Sequence, residues 1–218
     1  LDSQKVVIPS FVLSTGDSKL TAKCSMDLNA FEERNPGRFY LDFGAEIGKA
    51  DIVRCLGMLP RELANYYPDR PLSLRGSFNG NLRRVEISDF GIDMPLAFSA
   101  AAKGYALNPA DVDRMKAQMA VKANFGDVNF ILDILSPGLR KSFRIPKGIV
   151  LGGRLSADCQ KYGVDMTMTE GTGRVSVGGS YNASSDAYSA KLDVKALDLR
   201  HFMPRDSLKL FSGDVSVN

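Results

Sequence analysis

The sequence predicts a mainly β protein built of antiparallel strands. Three observations carry this. Apolar and polar residues alternate with a period of two over most of the chain, the pattern of strands with one dry and one wet face. The alternating runs are separated by short polar turns such as Glu170-Gly171-Thr172-Gly173. Hydrophobic residues make up 44% of the chain, enough to exclude wholesale disorder.

The first strand is read over 6–13. Leu20, Ala22, Cys24, Met26 and Leu28 alternate with polar partners as the second. After a turn at Asn35-Pro36-Gly37, Phe39, Leu41, Phe43, Ala45 and Ile47 form the third. At Asp51 the period changes. Ile52, Leu56, Leu59 and Leu63 fall at helical spacing, Asp51 is placed to cap the start, and Pro60 kinks or splits the segment. Tyr66, Tyr67 and Pro68 end it.

Strands resume with Leu72, Leu74, Gly76 and Phe78, then with Val85, Ile87 and Phe90. Ile92, Met94, Leu96, Phe98 and Ala100 read as one run, in which Pro95 marks an edge or a bulge. Asn108-Pro109-Ala110-Asp111 is a turn. Met115, Ala117, Met119, Val121 and Ala123 alternate as a strand, with a helix as the rival reading because helix propensity is high there.

A second helical segment is predicted from Asp127, with Val128, Ile131, Leu135 and Leu139 on one face and Pro137 interrupting. Four strands follow over 149–196. The third of them places Val175, Val177, Gly179 and Tyr181 on one face, and the fourth Tyr188, Ala190, Leu192, Val194 and Ala196. Asp198 opens a third helical segment with Leu199, Phe202, Met203 and Pro204, and 208–217 is one more strand.

The recurrence of a short, Pro-interrupted helix at Asp51, Asp127 and Asp198 is an internal repeat. It divides the chain into a first strand group (1–50), two repeats (51–126 and 127–197) and the start of another (198–218). The first residue is not Met and the last alternating run reaches residue 217, so a piece of a longer chain is expected.

Net charge is +3, from 28 basic and 25 acidic residues, with no basic run, and this argues against nucleic acid as a partner. Cys24, Cys55 and Cys159 are scattered and without metal-binding spacing, and His201 is the single histidine. Neither a metal site nor a histidine-based catalytic triad is expected; Cys24 is read as a buried thiol. Gly152-Gly153 and Gly178-Gly179 lie inside strands rather than between a strand and a helix, so they are read as close backbone approaches or bulges, not as phosphate loops. The carboxylates of Asp158 with Asp165, and of Glu86 with Asp89, lie on polar strand faces. No catalytic residue, enzyme activity or cofactor is assigned.

The dry face itself is the candidate site. Met26, Met94, Met115, Met119, Met166 and Met168 all fall on it, and methionine suits both plain packing and variable apolar partners. The residues assigned to an apolar floor are Met115, Met119, Val164, Met166, Met168, Val175, Val177, Leu192 and Val194.

Leu192-Asp193-Val194-Lys195-Ala196, Phe202-Met203-Pro204 and Asp206-Ser207-Leu208, with the alternating strands before them, resemble the TamB family within the AsmA-like superfamily, in its Bacteroidetes form. The resemblance implies a long curved sheet folded into a U-shaped trough, or β-taco, with an apolar inner face. It also implies a parent chain anchored in the inner membrane of a diderm bacterium and reaching into the periplasm. The partners it implies are phospholipid acyl chains and an outer-membrane barrel assembly protein of the Omp85 type. The alternative is a closed β-sandwich or solenoid that is structural or adhesive and binds no lipid; an enzyme on a β-solenoid is a further rival.

Overall fold

The computed structural model describes residues 4–55, 71–136, 138–203 and 210–217. The described strands all belong to one open, curved sheet of twelve, each antiparallel to the next and in sequence order. They are β1 (Lys5–Ser14), β2 (Lys19–Asp27), β3 (Phe39–Ile47), β4 (Leu72–Asn81), β5 (Arg84–Met94), β6 (Phe98–Leu107), β7 (Lys116–Phe125), β8 (Ile149–Asp158), β9 (Lys161–Glu170), β10 (Gly173–Asn182), β11 (Ala187–Asp198) and β12 (Leu210–Val217). At a strand spacing of about 4.8 Å the sheet is on the order of 50 Å across its strands. A closed sandwich needs two facing sheets, and no second sheet lies among the described residues.

Residues 116–125 are a strand and not the rival helix, because each of them pairs in register with both β6 and β8. Tertiary pairing overrides helix propensity here. The run read through Pro95 is in fact two strands. β5 ends at Met94, Leu96 takes a positive φ of 68°, and Ala97 N–H donates back to the Met94 carbonyl, so Pro95 sits in a tight hairpin turn. The one-residue phase slip between Ile87 and Phe90 is a β-bulge, and it returns Phe90 to the face that Ile87 occupies.

Helical connections follow β3, β7 and β11, one after every fourth strand. All three therefore lie at the same margin of the sheet. The first is α1 (Lys49–Cys55), the second α2 (Phe130–Leu135) with a 3-10 turn at Leu139–Lys141, and the third a 3-10 turn at Leu199–His201. Leu56, Leu59, Pro60, Leu63, Tyr66, Tyr67, Pro68, Pro137, Pro204 and the block Asp206-Ser207-Leu208 lie outside the described residues, and the proline interruptions with them.

The aspartates that signalled these connections play three different parts. Asp51 lies within the first turn of α1 rather than at its cap. It accepts from the Thr15 hydroxyl, while Asp17 from the β1–β2 turn accepts from Ala50 N–H. Asp127 lies ahead of α2 and accepts from both the backbone and the side chain of Asn129. Asp198 is a true N-cap, accepting from Arg200 N–H.

The connections knit into a continuous rim. Met94, Ala97 and Val128 form its buried centre, with Ile52, Leu72, Phe98, Phe125, Phe130 and Ile145 packed around them. Asn129 ties the loop down: its Nδ2–H donates to the Ile145 carbonyl at 3.0 Å and its Oδ1 accepts from Ile145 N–H at 2.7 Å. Arg144 joins the second connection to the third, donating from its backbone N–H to the Phe202 carbonyl and from Nε to the His201 carbonyl. His201 Nδ1 in turn lies 2.7 Å from the buried Glu170 carboxylate.

Hydrogen bonds from Arg200 hold the Asp198 carboxyl down at about 2. Because its pKa is lowered on folding, the stabilisation from this carboxylate is complete above the ordinary aspartate value of about 3.9 and is lost as pH falls through about 2. A carboxyl-detected NMR titration is expected to place its midpoint near pH 2, and Arg200→Gln is expected to raise it toward the ordinary value. A wild-type midpoint near the ordinary value would mean the pair does not form.

Candidate apolar floor

The register places one uninterrupted apolar face across the sheet. Its central rung runs Phe11, Ala22, Phe43, Gly76, Phe90, Ala102, Val121, Gly153, Met166, Val177, Leu192 and Val215, one residue from each strand in order. The rungs on either side are equally free of polar side chains. One passes through Ile8, Leu41, Ile87, Met119, Leu155, Val164 and Val217, the other through Leu20, Leu74, Ile92, Ala123, Met168, Val175 and Val194. Three rungs of twelve positions thus carry no charge. The opposite face carries Lys23, Asp42, Arg75, Asp89, Lys122, Arg154, Asp165 and Lys191 at the intervening positions.

Of the nine residues assigned from sequence, Val164, Met166 and Met168 on β9, Val175 and Val177 on β10, and Leu192 and Val194 on β11 form one contiguous patch. Met119 joins it through Leu155, its neighbour on β8. Met115 does not lie in a strand. It precedes β7 by one residue, half-buried at the sheet margin, where its carbonyl accepts from Cys159 N–H in the turn between β8 and β9. Cys24 lies half-buried on the floor rather than buried, since nothing among the described residues covers that part of the sheet.

The floor extends well beyond the assigned residues, over β1–β6. The Phe43 and Phe78 rings stack at 6.3 Å, and Phe90 lies 6.4 Å from Phe78. Gly76 makes room for this cluster, since a Cβ there would meet the Phe43 ring at 2.4 Å and the Phe78 ring at 2.7 Å. The same alternation was present in these strands, and following the register from β8 back to β1 is what finds them.

Exposure is graded across the floor. Val194, nearest the helical rim, is 7% exposed, whereas Val177 is 38% and Leu155 40% exposed. At the two edge strands Phe11 is 46% and Val215 56% exposed. The margin opposite the rim carries Tyr162 and Tyr181, stacked at 6.4 Å, with Tyr188 beside Tyr181. Tyr181 directs its hydroxyl outward to Asp186 at 2.9 Å. An aromatic ring with a wet hydroxyl suits the line where an apolar surface meets water.

A cavity of about 720 Å³ is not on this face. It is lined by residues 86–88, 103–105, 118–120, 154–156 and 163–165, with Arg84 and Gly179. Both outer members of each triplet belong to the polar face, and no floor side chain from the neighbouring rungs contributes. The hollow therefore opens on the polar side, and the floor positions at its centre line it through their backbone.

No group of acidic, histidine and cysteine side chains among the described residues is placed to hold a metal ion. No helix among them is long and apolar enough to cross a membrane. Comparison of the chain with protein-family models, curated proteins and solved structures found no match. The resemblance to the TamB family accordingly rests on the residues and motifs that suggested it.

Proposed function

We propose that this chain is part of a TamB-type envelope protein whose apolar floor carries phospholipid acyl chains across the periplasm of a diderm bacterium. The parent chain is anchored in the inner membrane, and it serves transfer of lipid to the outer membrane or assembly of outer-membrane proteins with a barrel partner. The observation that carries this reading is the uncharged floor, continuous over twelve strands and left open by the described residues. Exposed apolar patches larger than a few hundred Å² are rare on monomeric soluble proteins and mark places where something apolar docks.

Acyl chains fit the floor better than a protein partner would. Its surface is aliphatic over most of its extent and offers, in three successive rungs, no side-chain hydrogen-bonding group stronger than the Cys24 thiol and the methionine thioethers, whereas the core of a protein interface is usually anchored by aromatic residues and arginine. On β6 the floor side chains are only Phe98, Ala100, Ala102, Gly104 and Ala106, which leaves a low, smooth strip beside the larger residues of β5. Transfer along such a floor is passive: the hydrophobic effect holds the chains at about 25 cal/mol per Å² of apolar surface removed from water, and no residue performs a reaction.

Photo-crosslinking tests the proposal. A probe at Met168, Val177 or Leu192 is expected to capture phospholipid in cells. A probe at Thr167, Ser176 or Lys191, one residue away and on the other face, is expected to capture none. Both sets lie at similar height on the same strands, so non-specific membrane contact would label them alike. Absence of lipid from both sets, in folded protein, would overturn the reading.

A further inference from the structure

The hollow on the polar face has a composition the lipid floor does not explain. Lys103 on β6 and Arg154 on β8 flank Ala120 on β7 in direct register. Two strand spacings separate them, about 10 Å between their Cα atoms. Neither side chain makes an ion pair or hydrogen bond among the described residues. The other charges nearby are accounted for differently. Arg84 is held by Glu86 at 3.0 Å and lies 4.9 Å over the Tyr105 ring, so that carboxylate is already neutralised. Asp165 is the cross-strand neighbour of Arg154 but does not bond it. Two cations without a bonded partner among the described residues thus flank a small exposed alanine within the hollow.

We propose that this hollow binds a phosphate ester carried on a hydroxylated body, as in a sugar phosphate or a glycerophosphate headgroup. Lys103 and Arg154 reach inward over Ala120 and donate to the phosphate oxygens from opposite sides, the guanidinium matching two of them at once. Gln118 and Ser156, in register on the adjoining row of β7 and β8, offer an amide and a hydroxyl to the ligand's own hydroxyls. The volume of about 720 Å³ lies within the range of small-molecule sites. The site lies on the face opposite the floor, so it stands or falls apart from the lipid reading.

Titration calorimetry on the intact chain with inorganic phosphate, glucose 1-phosphate and glucose tests the soluble form of the ligand. Sedimentation with phosphatidylglycerol vesicles, against phosphatidylcholine vesicles, tests the headgroup form. Glucose 1-phosphate is expected to bind more tightly than inorganic phosphate, and glucose not at all. Lys103→Gln is expected to weaken binding about tenfold, the loss of one charge-assisted hydrogen bond, and Arg154→Gln by more, since the guanidinium makes two. Ala120→Glu, which sets a carboxylate between the cations at an exposed position, is expected to abolish it, and Ser156→Ala to remove the preference for the sugar ester. All four positions are exposed, so circular dichroism should be unchanged. Binding to phosphatidylglycerol vesicles alone, lost in Lys103→Gln and Arg154→Gln, would assign the site to a lipid headgroup. Failure of both soluble phosphates and the vesicles to bind, or binding unaffected by the two charge removals, would overturn the proposal. Floor crosslinking in the same variants is expected to be unchanged, which separates this result from the function proposed for the floor.

Discussion

Gly153→Val is expected to destabilise the sheet by roughly 3 kcal/mol or more, at the upper end of what overpacking costs. A Cβ at Gly153 would lie 2.1 Å from the Asp165 carbonyl oxygen and 2.7 Å from Met166 Cα. Both are backbone atoms of the adjacent strand, held by the register on both sides, so they cannot turn away as a flexible side chain would. Relief requires β8 and β9 to part, and that breaks ladder hydrogen bonds in the middle of the floor. Gly178→Ala provides the contrast. It lies on β10, two strands away, and a Cβ there meets nothing within 4 Å. Removing backbone freedom from the unfolded chain should make that substitution neutral or stabilising by about 0.4–1 kcal/mol. Urea unfolding of the two variants checks this. Equal midpoints for Gly153→Val and wild type would show that the strands do not approach so closely.

The second large effect is at the rim. Leu132→Ala is expected to cost about 2–4 kcal/mol, from lost transfer energy plus the cavity left behind. Leu132 is 8% exposed, whereas Leu135, one of the residues predicted to lie on the buried stripe, is 70% exposed. Leu135→Ala should therefore change stability by no more than about 0.5 kcal/mol. Thermal or urea unfolding of both variants checks the orientation of α2, and the reverse order would put the helix in the opposite rotation. The spacing of Val128, Ile131, Leu135 and Leu139 had suggested the other phase. Of these, Val128 is buried but lies before the helix begins, and Ile131 is 37% exposed. With only six residues in α2, the tie from Asn129 just ahead of it to the returning loop at Ile145 decides which side is covered, rather than a helical stripe.

The strands were legible because alternation is a local property. Met166 and Thr167 differ in which face they take for the same reason in any sheet: consecutive side chains of an extended chain point to opposite sides. The run Val85, Ile87 and Phe90 reads as one strand in the sequence, and the register with β4 and β6 is what shows the bulge between Ile87 and Phe90. What misled was chemistry that depends on a few dihedral angles. Pro95 falls inside an apolar run, and only the positive φ at Leu96 turns that run into a hairpin. Met115 keeps the parity of β7 but falls outside it, because the loop from β6 returns to the sheet one residue later.

By itself, then, the sequence determined the class of fold, the antiparallel strands, the two faces and the recurrence of helical connections at Asp51, Asp127 and Asp198. All of these follow from periodicity and turn chemistry within a few residues. Tertiary structure decided what lies across the strands. It placed Phe43, Phe78 and Phe90 beside one another, set the helical connections along one margin, and left much of the floor uncovered by the described residues. It also brought Lys103 and Arg154, far apart in sequence, to either side of Ala120. The physical reason is that a strand satisfies its backbone only through its neighbours, so the register between strands, which no single strand encodes, determines which side chains meet.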